Sequence, residues 1–249
     1  MRKFSIIRVI ALLLSVILTR IEASEVLVFR NDSMPWCGTV DGQDSGIAVD
    51  ILNELTKNGG PIFKFEELPW PRAQKMVHKT PGTAIIPFTR TVTREKNHLW
   101  IVNLVPNQVR LTLAKNSQNY AILPSPLTIS NARSLVIGVI RGSAIIPTLK
   151  ELGLGSQLLE VGKVDQLAYM LNRGRIDVMA ESKWVDNYAW RKIGQKSEYL
   201  VSGPNVGEVK HIYLAAALDF PPNIAKEIRD AMGRIQQNGK LEKVLNKWR

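Results

Sequence analysis

The sequence is poor in the residues that most catalytic and structural motifs need. Among 249 residues there is one cysteine, Cys37, and there are three histidines. A lone thiol excludes a disulfide framework and any cysteine-rich zinc site, since each needs at least a pair. His78, His98 and His211 have no partner at i,i+4 and no His-Glu-x-x-His context, which leaves no zinc protease pattern. Neither a Gly-x-Ser-x-Gly elbow nor a Gly-x-x-x-x-Gly-Lys phosphate loop occurs, and Gly153-Leu-Gly155 lacks the third glycine of a dinucleotide fingerprint. No metal, nucleotide or other cofactor is therefore expected. Internal repeats, low-complexity tracts and Gly/Ser linkers are absent too, and no apolar run after residue 18 reaches membrane-spanning length.

What is present begins with an export signature. Arg2 and Lys3 precede an apolar run from Ile6 to Leu18, and Ala23 offers a small residue for cleavage, so residues 1–23 read as a signal peptide. Its removal takes away Arg2, Lys3, Arg8, Arg20 and Glu22, which lowers the formal charge from +11 to +8. The remaining basic residues are interspersed with acids, as on a solvated surface; no nucleic-acid partner is expected. Cys37 lies well beyond the apolar run, which argues against a lipid-modified N-terminus. A free periplasmic protein is the expected product.

The mature chain alternates strand and helix signals. EVLVFR (25–30), FKFEEL (63–68), TAIIPF (83–88), VRLTLA (109–114), LVIGVI (135–140), DVMAE (177–181) and HIYLAAA (211–217) read as strands. Ile47, Ile51, Leu52 and Leu55 line one helical face that Asn58-Gly59-Gly60-Pro61 stops, and Leu167, Met170 and Leu171 line another. Two amphipathic helices close the chain, the first on Ile224, Ile228, Ala231 and Ile235 and the second on Leu241, Val244, Leu245 and Trp248. The class is α/β.

Polar and aromatic residues gather where predicted strands end: Met34-Pro-Trp36-Cys37, Pro69-Trp70-Pro-Arg72 and Thr89-Arg90-Thr-Val-Thr-Arg94. In an open α/β sheet ligands sit at those carboxyl ends, so the three loops are expected to share one rim. Arg94 is the strongest binding candidate, because its planar fork of donors matches a carboxylate in a dry cleft. Arg90 is a second arginine of that rim and Thr89 a hydroxyl or amide donor. Gly142-Ser143 precede a helical pattern at 144–152 and are expected to aim free amides at an anion. Trp36 and Trp70 offer flat walls, either to a ligand or to the core. Asp50 reads as a helix-start carboxylate that caps or ties its lobe.

In order along the chain, Gly46-Ile-Ala-Val-Asp50, Thr91-Val-Thr-Arg94-Glu-Lys96, Ile137-Gly-Val-Ile-Arg-Gly142-Ser143, Gly174-Arg-Ile-Asp177 and Asn238-Gly239-Lys-Leu through Trp248 resemble the family 3 extracellular solute-binding proteins, which serve ABC importers of polar amino acids. The resemblance spans nearly all of residues 25–249. It implies the two-lobed type II periplasmic-binding-protein fold, with lobe 1 at 24–113 plus 214–249, lobe 2 at 114–213, and two strands crossing between them. It also implies a monomer, an amino acid or related small carboxylate as ligand, a membrane ABC permease as partner, and Arg94 on the ligand carboxylate.

One position departs from the pattern. Where such binders commonly carry an aspartate for the ligand's ammonium, this chain has Ser182, preceded by Glu181, and strand alternation puts those two on opposite faces. Glu181 stands as the candidate for that role after a one-residue shift. Two alternatives share the scaffold: a periplasmic dehydratase-like enzyme using Glu181 with Arg94 and Arg90, and an orphan sensory module.

Overall fold

The computed structural model describes residues 24–248, so the expected signal peptide lies outside the described residues. The chain opens with β1 (Glu25–Arg30), a small hairpin of β2 (Gly38–Val40) and β3 (Gln43–Ser45), and α1 (Ile47–Lys57). Then come β4 (Ile62–Glu67), α2 (Trp70–Lys79), β5 (Ala84–Thr89), the single turn α3 (Val92–Glu95) and β6 (Leu99–Asn107). The next strand, β7 (Val109–Ala114), starts a second unit that continues through β8 (Ile137–Ile140), α4 (Ile146–Glu151), β9 (Leu158–Val161), α5 (Val164–Asn172), β10 (Val178–Ser182), α6 (Lys183–Lys192) and β11 (Leu200–Asn205). The chain returns through β12 (Lys210–Ala216) and ends in α7 (Pro222–Gln237) and α8 (Lys240–Trp248). Among the described residues no helix is long and apolar enough to cross a membrane.

Two five-stranded sheets result, ordered β4-β1-β5-β12-β6 and β11-β7-β10-β8-β9. In the first, β1 runs parallel to β4 and β5 while β12 is antiparallel to β5 and β6. In the second, β8, β9 and β10 are parallel and β7 is antiparallel to its neighbours. The backbone changes sheets at Gln108 and again across 206–209. These crossings lie before the lobe boundaries expected near 113 and 213, because β7 hydrogen-bonds wholly within the second sheet and β12 wholly within the first. Alternation identifies a strand; it carries no information about which sheet the strand joins.

The helical stripes bury as their spacing requires. Ile47, Ile51, Leu52 and Leu55 of α1 are all at most 1% exposed, and Ile228, Ala231 and Ile235 of α7 are fully buried. Gly46 makes the turn into α1 possible: its φ is 129°, and a Cβ there would lie 2.6 Å from the Trp36 carbonyl oxygen. The helix start thus packs directly under the Trp36 loop. Asp50, on the first turn of α1, accepts from Lys247 Nζ at 2.7 Å and Trp248 Nε1 at 2.9 Å, so it ties the last helix to its lobe. An exposed ion pair contributes under about 1 kcal/mol, and a hydrogen bond to a partly exposed carboxylate about 1 kcal/mol. Asp50→Ala is therefore expected to lower stability by about 1–2 kcal/mol, read from the urea midpoint, without altering the cleft.

Candidate functional site

A cavity of about 80 Å³ opens between the two sheets. Trp36, Trp70, Thr89 and Arg94 line it from the first lobe, Ser143 and Glu181 from the second, and Asn107 and Lys210 from the ends of the crossing segments. The shared rim expected from the strand ends is therefore a real enclosure. Its shape follows from topology, since β1, β5 and β10 all end there.

Arg94 sits on α3, immediately after β5. Its guanidinium lies 4.2 Å from the Phe88 ring centroid, and Nη1 donates to the Thr89 carbonyl at 3.1 Å. Nη2 donates to Gln74 Oε1 at 2.8 Å and, across the cleft, to the Gly142 carbonyl at 3.4 Å. Among the described residues no carboxylate pairs with it. Burial lowers its pKa to about 10, so it still carries its charge at neutral pH. A cation held by neutral acceptors, without a counter-ion, is electrostatically open to an anionic ligand.

The aromatic residues serve core and cavity together. Trp36 is 4% exposed and meets Trp184 at 6.2 Å, while Trp70 is 8% exposed and stands edge-on to Phe88 at 5.9 Å. Each packs most of its ring into the protein and leaves an edge in the cavity wall. Thr89 also lines the wall, and the contact it makes with Arg94 is through its backbone carbonyl.

Two expectations require correction. Arg90 does not reach the cavity: its Nε and Nη2 donate to Glu95 at 2.8 and 2.5 Å, and its guanidinium lies over Trp100 and Tyr213. The carboxylate five residues on satisfies its fork at the surface. The Gly142-Ser143 turn does not present a helix start either. Gly142, at φ 72°, turns its carbonyl toward Arg94, and the Ser143 N–H is used on Ile140 O at 3.0 Å. The helix α4 begins three residues later, at Ile146, and has only six residues. Its approach still lines the cavity through Ala144 and Ile145, whose amides take no backbone acceptor among the described residues.

Glu181 lines the cavity floor from β10, opposite Arg110 on β7. Of the two residues that alternation sets on opposite faces, Glu181 is the one that lines the cavity and Ser182 the one buried in the lobe. Ser182 is 1% exposed, and its hydroxyl accepts the Val185 N–H as the cap of α6. Desolvation pushes the Glu181 carboxyl up to about 7. Beneath it Asp186 is 2% exposed and raised well above the usual aspartate range by the same cause. The Thr112 hydroxyl donates to Asp186 Oδ2 at 2.5 Å, and Oδ1 is buried with no partner.

Gln74, Asn31 and Asn107 are among the residues that escaped the sequence reading. Gln74 falls four residues after Trp70 on α2, a spacing that puts both on one face and could have found it. Asn31 and Asn107 follow or end strands β1 and β6, and both carry a buried side-chain carbonyl oxygen without a hydrogen-bond donor.

Known structures share this architecture at low identity. A histidine kinase sensor domain with similarity to periplasmic binding proteins superposes with a TM-score of 0.79 at 14% identity, covering 92% of this chain and 97% of that one. An amino acid ABC transporter substrate-binding protein from Streptococcus pneumoniae, bound to L-arginine, gives 0.73 at 17%, covering 90% and 94%. An ancestral amino acid-binding protein described as a precursor of cyclohexadienyl dehydratase gives 0.73 at 16%, covering 90% and 95%. At these identities the likeness speaks for the fold alone. No curated protein sequence matches the chain. The family model for bacterial extracellular solute-binding proteins, family 3, matches residues 26–249. With two sheets, two crossings and a cleft between them, the chain belongs to the bacterial extracellular solute-binding proteins, family 3.

Proposed function

We propose that the protein captures a small carboxylate-bearing solute, foremost an amino acid, between its lobes in the periplasm and delivers it to an ABC importer. The observation that carries this reading is Arg94, a half-buried cation in the cleft wall with only neutral partners, two of them on its own lobe and one across the cleft. A carboxylate entering the cavity meets that charge, the amides of Ala144 and Ile145, and the walls of Trp36 and Trp70. A cavity of about 80 Å³ is several times the roughly 10–15 Å³ that a single water needs, a size suited to a small metabolite and not to a peptide. Because such a ligand touches both lobes, it favours the closed arrangement, which is what a permease can recognise.

The dehydratase alternative loses one of its parts. It needs Arg90 beside Arg94, and Arg90 is held by Glu95. Thermal denaturation against the twenty standard amino acids and a set of small carboxylates tests the reading. A ligand at 100 times its Kd adds about 2.7 kcal/mol, which for a domain of this size raises the Tm by roughly 5–10 °C. A panel without any shift refutes solute capture of this class.

A further inference from the structure

The cavity is richer in idle acceptors than a carboxylate site needs. Asn31 is 8% exposed, and its side-chain oxygen and that of Asn107 are buried without donors. Among the described residues, Glu181 adds a carboxyl that is hydrogen-bonded by the Ser182 backbone alone. A ligand end that only donates, such as an ammonium or guanidinium, fits such a lining.

The groups around Glu181 leave it without a fixed counter-ion. Arg110 on β7 is its cross-strand neighbour, but its Nη1 donates to Ser202 Oγ at 3.1 Å on β11 and its Nε is buried without a partner. Asp186 on α6 lies beneath, bound to Thr112. From β8, Ile137 and Gly138 face Val178 and Met179 and bring no charge. Across the cavity Arg94 is engaged on Thr89, Gln74 and Gly142, and Glu208 and Lys210 stand in the wall near β12. Lys183, next but one in the chain, is exposed.

We propose that Glu181 couples capture to proton release: the cationic group of the ligand takes the place of the Glu181 proton on the cavity floor, so cationic ligands are held more tightly as pH rises. The inference rests on the reading of the cleft as a solute site. In the step, the carboxyl O–H bond breaks, its electron pair stays on the carboxylate, the proton passes to buffer, and an ion pair with the ligand forms. Burial keeps the proton on the free protein up to a pH of about 7. The ligand's charge favours the ionised form and depresses that pKa in the complex. A group whose pKa falls on binding strengthens binding as pH rises toward the free-protein value and weakens it as pH falls below.

The test is calorimetry with the tightest-binding of the twenty standard L-amino acids, all of which keep their ammonium charge near neutrality. Titrations at about pH 6.5 in two buffers of different ionisation enthalpy are expected to show release of most of a proton per ligand. Between about pH 7.5 and 5.5 the Kd is expected to rise about 25-fold. Glu181→Gln removes both the proton release and the pH dependence. Independently of any ligand, carbon-13 NMR of glutamate-labelled protein is expected to show one carboxyl, absent from Glu181→Gln, titrating near 7. An amino acid that binds with a flat Kd and no proton exchange, or a Glu181 carboxyl titrating in the ordinary glutamate range, overturns the proposal and leaves solute capture standing. Absence of binding by every amino acid overturns the amino acid form of the solute reading, and the coupling with it.

Discussion

Arg94→Ala is expected to weaken capture of the ligand at least about 100-fold while changing the stability of the ligand-free protein by no more than about 1 kcal/mol. The first half follows from the type of contact. Hydrogen bonds to a charged group in a shielded site contribute about 1.5–3 kcal/mol each, and a carboxylate on a guanidinium makes two. The second half follows from cancellation. The substitution strands the Gln74 side-chain oxygen and the Thr89 and Gly142 carbonyls, which is unfavourable, but it also removes a buried cation that has no carboxylate partner, which is favourable. Arg94→Lys should fall between the two, because an ammonium keeps the charge and loses the planar fork. Calorimetry gives the Kd ratio and urea denaturation the stability. An unchanged Kd removes Arg94 from the site, and a collapse of the ligand-free fold makes it a structural latch between the lobes.

That arginine was legible because its chemistry and its place after a strand are both written in the chain. The central strands were legible for the same reason, as apolar runs bounded by turns. Besides the small hairpin of β2 and β3, the strands that escaped, β6, β9 and β11, all lie at edges of the two large sheets. Pro106 interrupts β6, and Gly203-Pro204 interrupts β11, where the ladder shifts register between Ser202 and Asn205. An edge tolerates such residues because one side of its backbone needs no partner, and that same tolerance erases the sequence signal. The parts of the site that the sequence left open or misplaced have a similar origin. Whether Glu181 or Ser182 faces the cavity is a matter of one residue in register, and Ser182 is the one that turns away to cap α6. The reach of Arg90 was decided by Glu95, five residues on, which the turn α3 brings against its guanidinium.

Phe88→Ala is expected to lower stability by about 3–5 kcal/mol, a large share of what a domain of this kind possesses. Phe88 is fully buried and central to an aromatic cluster, with Trp70 at 5.9 Å, Trp100 at 5.6 Å and His98 at 4.6 Å between ring centroids. Its truncation leaves a void under the cleft, because those rings are anchored on α2, β6 and the segment after α3 and cannot converge on it. The same ring carries the Arg94 guanidinium on its face, and His98 Nδ1 lies 3.1 Å from the Arg94 carbonyl, so the core and Arg94 share one support. Phe88→Leu separates the two roles. It keeps most of the volume, at a cost of about 1–1.5 kcal/mol, yet removes the aromatic face that positions the cation. If the ring positions Arg94, the leucine variant binds its ligand several-fold more weakly despite a nearly native urea midpoint. If it binds with native affinity, the hydrogen bonds to Gln74 and Thr89 suffice to aim the guanidinium, and Phe88 acts on the cleft only through the fold.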